Sequence, residues 1–246
     1  MKLLSITWSD TDEYDLKATP LYKSFIKHNN EKNLFHIHFN RNEYKDLESN
    51  YNNKYAYQSE FILYKILLTY NFLLKTNDIE DFIYADTNDV VVLDNIDKVV
   101  APKKILFSCE KHQYPKNATW LSQKNYSNEN ITQNIFLNSG LFVTNKTFFT
   151  NFLHNCILNI LPHEFKDYGG DQGIYTYYYI NLNENKDITL DVETKYFLST
   201  YLRSPDMFTF SDNKFINKEY NTSPLFVHDN GWNYGSPKFR ERFNLL

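Results

Sequence analysis

The sequence predicts an α/β fold, a mostly parallel mixed sheet with helices on both faces. Three observations predict it. Short apolar segments with strand-like alternation are separated by longer segments with helical spacing, the pattern of strand–helix–strand units. Hydrophobic residues make up 42% and charged residues 23%, a balance that suits a globular chain with a sizeable core. The 246 residues show no internal repeat and no linker rich in Gly, Ser or Pro, so they read as a single domain over 1–246.

Leu3 to Trp8 alternates and runs into the acidic loop of Asp10, Asp12 and Glu13, which reads as a first strand. Pro20 to His28 places Leu21, Phe25 and Ile26 at helical spacing, with proline in the first turn. Leu34 to Phe39 alternates again and puts His36 and His38 on one face, as ligands or as polar strand residues. Glu60 to Leu74 is an apolar helix with Lys65 inside it. Asp81 to Ala85 is a strand, Val90 to Leu93 resumes extended character, and Lys104 to Ser108 is a further short strand. Glu110 to Gln133 is polar and irregular, a length usual for functional loops. Phe136 to Thr144 is a strand interrupted by Gly140, and Thr147 to Leu161 is a helix that stops before Pro162. Asp171 to Asn181 is a tyrosine-rich helix after Gly169-Gly170, and Ile188 to Leu190 and Leu225 to Val227 are short strands.

The bulk numbers exclude several classes. A net charge of −4, with no basic stretch, does not suit tight generic binding of nucleic acid. Cys109 and Cys156 have no metal-like spacing and imply no disulfide framework, which suits a reducing compartment. Met1 to Trp8 is too short and meets acidic residues too soon for a signal peptide, and no apolar run reaches the length of about 18 residues that a membrane span needs. The expected location is therefore cytoplasmic, in a bacterium or a virus-infected host cell, as an AT-biased composition rich in Lys, Asn and Ile also suggests. The same bias accounts for much of the 20 Tyr and 20 Phe. Six glycines supply neither a dinucleotide fingerprint nor a P-loop, so any bound nucleotide phosphate would need a cation in place of a glycine loop.

The segment Phe82-Ile83-Tyr84-Ala85-Asp86-Thr87-Asn88-Asp89 carries the most chemistry. An apolar strand runs straight into two carboxylates three positions apart. In open α/β sheets ligands gather at the carboxyl ends of strands. Two carboxylates there repel unless a cation lies between them. Oxygen ligands suit Mg²⁺ or Mn²⁺, which bridge to phosphate oxygens and neutralise a leaving diphosphate. A solvated turn with Asp and Asn chosen for turn chemistry is the other reading of this segment taken alone.

Further segments follow at characteristic spacing. They are Ile105-Leu106-Phe107-Ser108-Cys109-Glu110 with Tyr114-Pro115, Phe136-Leu137-Asn138-Ser139-Gly140-Leu141-Phe142-Val143, Gly170-Asp171-Gln172-Gly173-Ile174-Tyr175, Ile188-Thr189-Leu190-Asp191, and Pro224-Leu225-Phe226-Val227-His228-Asp229-Asn230-Gly231. In this order they resemble the glycosyltransferase domain of procollagen lysyl hydroxylases and procollagen galactosyltransferases, over residues 57–246. The resemblance implies a GT-A fold, a nucleotide-binding half over 1–100 and a sugar and acceptor half over 101–246. It implies a metal-dependent glycosyltransferase that moves a hexose, glucose or galactose, from a UDP-sugar to a hydroxyl on a glycan, a protein or a modified biopolymer.

Carried over position by position, the resemblance places Asp86, Asp89 and His228 as metal ligands. An imidazole beside carboxylates favours Mn²⁺ over Mg²⁺. Asp86 also belongs to the donor site with Lys65, a candidate diphosphate contact, and with Asn138, Ser139 and Gly140 beneath the donor sugar. Gly140 would let backbone approach that sugar, or mark a bulge. Asn230 and Gly231 form a turn facing the diphosphate, and Asp171 and Gln172 face sugar and acceptor as catalytic candidates. Asp171 also suits a helix N-cap.

The chain departs from the family at Gly169-Gly170-Asp171, where a longer acidic run is usual, at Tyr114, where Trp is frequent, and at Asp229, where Gly is frequent. The first two lie on the acceptor side, so the acceptor is the open question, and collagen is not implied. With Asp171 behind the sugar, an inverting reaction is expected; without a carboxylate in reach, a retaining front-face reaction. Two rival readings come from other classes: a UDP- or sugar-binding module of the same fold that has lost turnover, and a metal-dependent phosphohydrolase, which needs more converging carboxylates.

Overall fold

The computed structural model describes residues 1–9, 13–40, 60–111, 136–159, 171–181, 187–201, 203–211, 214–230, 241 and 243–245. Three strands of the central sheet are β1 (Lys2–Ser9), β2 (Leu34–Asn40) and β3 (Asp81–Ala85). The others are β5 (Ile105–Glu110), β6 (Phe136–Asn145) and β7 (Ile188–Leu190), in the order β2-β1-β3-β6-β5-β7. All run in one direction except β6, which is antiparallel to β3 and β5. The mostly parallel mixed sheet expected from the alternation is therefore present.

Each strand divides its side chains between two cores by period-two alternation. Leu4 and Ile6, Phe82 and Tyr84, and Phe142 face one side. There they meet Ile66, Leu67 and Leu73 of α2 (Glu60–Lys75), Phe149, Phe152 and Leu153 of α3 (Lys146–Asn159), and Ile174, Tyr175 and Tyr178 of α4 (Asp171–Asn181). Aromatic rings fill this layer; Phe142 stacks on Tyr84 at 4.9 Å between centroids and tilts against Phe149 at 4.8 Å. A fully buried ring of this kind contributes about 1.5–3 kcal/mol.

The opposite face carries a helix, as expected, and a second sheet beside it. Leu3, Ile83, Ala85, Leu141 and Val143 are covered by one helix, α1 (Pro20–His28), together with a second sheet. That sheet has the order β4-β11-β8, from β4 (Val90–Val92), β11 (Phe226–His228) and β8 (Phe197–Ser199). Alternation explains the sandwich: Val90 and Val92 face the central sheet, while Val91 turns outward to Val227, Leu198, Phe208 and Phe215. Phe208 and Phe215 come from the hairpin of β9 (Phe208–Ser211) and β10 (Lys214–Asn217), which the sequence reading left unassigned.

Local chemistry sets the ends. Thr19 caps α1 by accepting the Tyr22 N–H, with Pro20 in the first turn. Helix α1 is tied to the second sheet by Ser24 Oγ, which accepts the Val92 N–H at 2.9 Å. The buried carboxylate of Asp191 accepts the N–H groups of Lys195, Tyr196 and Phe197 at 2.8–2.9 Å and so starts β8. Both cysteines are buried free thiols. Among the described residues, no helix is long and apolar enough to cross a membrane.

Candidate active site

The turn 86–89 is the passage from one sheet to the other. Strand β3 ends at Ala85 in the central sheet, and β4 begins at Val90 in the second. Asp86 is held against β6, its N–H donating to the Gly140 carbonyl at 2.8 Å. Asp89 is held against β11, its carbonyl accepting the Asp229 N–H at 2.7 Å, while Val90 pairs with His228. The seam between the sheets therefore brings Asp86, Asp89 and His228 together, and one ligand atom from each lies within 4.8 Å of the others.

His228 Nε2 stands 3.3 Å from Asp89 Oδ1 and 3.9 Å from Asp86 Oδ2. Its other nitrogen, Nδ1, lies 2.9 Å from Asn138 Oδ1. The orientation of Asn138 is fixed independently. Its Oδ1 accepts the Gly140 N–H at 3.1 Å, and its Nδ2 donates to Glu110 Oε2 at 3.0 Å. Nδ1 must then carry a proton, and the Nε2 lone pair is free for a cation once that nitrogen is deprotonated. Burial pulls the imidazole pKa down, but Asp89, Asp86 and Glu110 outweigh it and raise the value to about 9. Two carboxylates and a fixed imidazole fit a single divalent ion of the Mn²⁺ or Mg²⁺ type.

Gly140 makes this convergence sterically possible. A Cβ there would stand 2.2 Å from His228 Cε1 and 2.5 Å from Asp86 Oδ2. From the sequence, a bare backbone here is expected to approach a sugar or to mark a bulge. The bulge is present, since the β5–β6 register shifts between Phe107 and Ser108. His228 and Asp86 also approach this bare backbone closely.

A second layer surrounds Glu110, whose side chain is buried at the end of β5. Gln172 Nε2 donates to its Oε1 at 2.7 Å; Asn138 and Asn230 donate to its Oε2, each at 3.0 Å. Burial raises its pKa, and the three amides partly offset the rise. Gln172 Oε1 accepts the Ser139 N–H at 3.3 Å, and Asn230 Oδ1 accepts Ser199 Oγ at 2.9 Å. Asn138, Gln172 and Asn230, three of the expected site residues, thus meet around one carboxylate, and Ser139 joins them through Gln172. Glu110 itself was not singled out from the sequence. The signal that could have found it is the one that found Asp86, a carboxylate at the carboxyl end of a strand.

Lys65 is not the surface residue that a lone helical lysine often is. Its Nζ lies 2.8 Å from Asp171 Oδ2, 3.3 Å from Asp86 Oδ1 and 4.8 Å from the centre of the Tyr84 ring. Burial opposes its charge, yet Asp171 and Asp86 hold its pKa well above the ordinary lysine value. Two clefts open beside this group. One, of about 370 Å³, is bordered by Glu110, Asn138, Ser139, Gly140, Gln172, Tyr201 and Asn230. The other, of about 340 Å³, is bordered by Ile6, Thr7, Lys65, Thr87 and Asn88. Asp86, Asp89 and Asp171 border both. Tyr84, Thr87 and Tyr201 are further neighbours that the sequence reading did not select. Gly231, Tyr114 and Gly169-Gly170 lie outside the described residues.

The galactosyltransferase LgtC, in complex with donor and acceptor sugar analogues, superposes with a TM-score of 0.55 at 12% identity, covering 94% of this chain and 88% of that one. Mouse xyloside xylosyltransferase 1 superposes with a TM-score of 0.54 at 13% identity, covering 96% and 99%. These likenesses show the fold, that of GT-A glycosyltransferases. No curated protein matches the chain by sequence. The family model of the PLOD GT domain matches residues 45–236, and the chain belongs to that family of glycosyltransferases.

Proposed function

We propose that the chain moves a hexose from a UDP-sugar to an acceptor hydroxyl in a reaction that depends on Mn²⁺ or Mg²⁺. The observation that carries this reading is the convergence of Asp86, Asp89 and His228 Nε2 at the seam between two clefts. Asp86, Asp89 and His228 hold the ion, which supplies Lewis-acid charge for the departing diphosphate. Lys65 adds a second positive charge on the same side. The cleft of Ile6, Thr7, Thr87 and Asn88 takes the nucleotide, which supports a nucleotide-binding half over 1–100. The cleft of Glu110, Asn138, Ser139 and Gln172 takes the sugar, which supports a sugar and acceptor half over 101–246. Asn230 borders the same cleft, and Asn230 and Gly231 are the proposed turn toward the diphosphate, Gly231 lying outside the described residues.

Asp171 and Gln172 are the proposed functional pair on the sugar side, Asp171 as the catalytic residue and Gln172 as a positioning residue. Gln172 is committed to Glu110 and Ser139, so it orients the pocket wall rather than moving a proton. Asp171 orients a hydroxyl by accepting its proton in a hydrogen bond. The acceptor is a hydroxyl of a glycan, a protein or a modified biopolymer, and free buried thiols favour a cytoplasmic setting.

The test is a thermal-shift titration with Mn²⁺ and UDP, GDP, CMP or ADP, on wild type and on Asp86→Asn with Asp89→Asn. A ligand specific to the folded state raises the melting point by mass action. A Mn²⁺-dependent shift with UDP, lost in the double variant, is expected. An equal shift in the variant would sink the metal assignment. Binding with no transfer to any acceptor in a panel would favour a binding module.

A further inference from the structure

Lys65 occupies a position that phosphate binding alone does not require. Its ammonium is shared between a carboxylate of the ion site, Asp86, and one at the first turn of α4, Asp171. The Lys65 and Asp171 side chains are only 12% and 14% exposed, so solvent screens the pair weakly. The two carboxylates are not equally dependent on it. Asp86 Oδ1 also receives the Tyr84 hydroxyl at 3.0 Å. Asp171 Oδ2, among the described residues, has no partner but the ammonium. Lys65 borders the cleft beside β1, whereas Asp171 borders both clefts.

An ammonium offers three N–H donors and no acceptor. A diphosphate in the cleft beside β1 competes for the same charge that holds Asp171. We propose that Lys65 is a positioning residue that couples donor binding to Asp171: the ammonium passes from Asp171 to the donor diphosphate, and Asp171 Oδ2 is released to accept a hydroxyl on the sugar side. This inference rests on the reading of a UDP-sugar donor. It gives α4 a mechanical part, because the turn that carries Asp171 also carries Gln172, which Glu110 holds in place. Asp171 can therefore change partners without the helix losing its anchor.

Competition for one cation is reciprocal. If the diphosphate loosens Asp171, Asp171 must weaken the diphosphate by the same factor. The experiment is calorimetric titration of UDP into the Mn²⁺-saturated protein, for wild type, Asp171→Asn, Lys65→Gln and the double variant. Melting points of the four verify folding, and Lys65→Met, which keeps an unbranched uncharged chain beside Tyr84, replaces Lys65→Gln if that variant does not fold. Asp171→Asn is expected to bind UDP about fivefold more tightly, a coupling of ordinary size, while transfer falls. Lys65→Gln is expected to bind UDP about tenfold more weakly, and in that background Asp171→Asn should change affinity by less than about twofold. Unchanged or weaker UDP binding by Asp171→Asn would overturn the coupling, as would equal tightening in both backgrounds, which is long-range charge only. Failure of the wild type to bind UDP with Mn²⁺ would instead remove the donor reading beneath it.

Discussion

Asn138 Oδ1 receives His228 Nδ1 at 2.9 Å across 90 residues of chain, and the same side chain donates to Glu110 Oε2. Asn138 thus joins the group of Asp86, Asp89 and His228 to the amide-lined carboxylate behind it. Its two ends are not interchangeable: the Gly140 N–H requires oxygen at one, and the Glu110 carboxylate requires nitrogen at the other.

Removing that joint should loosen the ion. Asn138→Ala leaves the imidazole without its orienting acceptor, and losses of this kind lower metal affinity about 10- to 100-fold. Electron paramagnetic resonance of free Mn²⁺ in a titration measures it directly. Affinity within twofold of wild type would mean that the strand alone orients His228.

Gly140→Ala should be among the most damaging single methyl additions in the chain. The new carbon would meet His228 Cε1 and Asp86 Oδ2 inside contact distance, and the buried His228 ring is held in place by Asn138. Overpacking of this kind costs about 1–3 kcal/mol. Denaturant unfolding should show that loss, and Mn²⁺-dependent UDP binding should disappear even in protein that remains folded.

Glu110→Gln keeps shape but removes an acceptor. Three amides donate to the carboxylate, and an amide side chain has only one oxygen with which to receive them. At least one N–H is left unpaired in a buried place, at a cost of about 1–3 kcal/mol. Transfer should fall with stability, since Gln172 and Asn230 lose their fixed positions. A variant as stable as wild type would show that the carboxyl is already protonated.

His36 predicts an acid-sensitive contribution to stability. Burial, with His38 beside it, lowers its pKa to about 4 in the folded chain, and Tyr14 stacks over it at 5.4 Å. The unfolded value is near 6.5. The unfolded chain therefore binds a proton first, so this contribution is complete above pH 6.5 and is lost as pH falls through 4. The ring is partly exposed, which reduces its worth to about 1 kcal/mol. The difference in unfolding free energy between wild type and His36→Gln should shrink by that amount between pH 7 and 4. A constant difference would assign no proton linkage to His36.

Much of the central sheet was legible because its signal is local. The alternation at Leu3, Leu4 and Ile6, and at Phe82, Ile83 and Tyr84, reports a strand with two buried faces. Thr19-Pro20 marks the start of α1 by capping chemistry alone. Other parts were hidden because their signal is relational. Val90 to Val92 reads as extended either way, but only its pairing with Phe226 to His228 shows that it leaves the central sheet. The hairpin β9–β10 is short and becomes necessary only where Val91, Leu198 and Val227 need covering.

For the site, the sequence by itself determined the chemical inventory. Asp86 and Asp89 at a strand end, Asn138-Ser139-Gly140, Asp171-Gln172 and a terminal His228 were present as types in order, because type and order are properties of the chain. The tertiary structure decided which of them touch. It turned Lys65 inward between two carboxylates, set Glu110 at the centre of three amide donors, and brought His228 and Asp86 against the bare backbone of Gly140. The physical reason is that charge and hydrogen bonding act over a few ångströms, and residues that distance apart here are separated by as many as 139 positions in the chain, as Asp89 and His228 are.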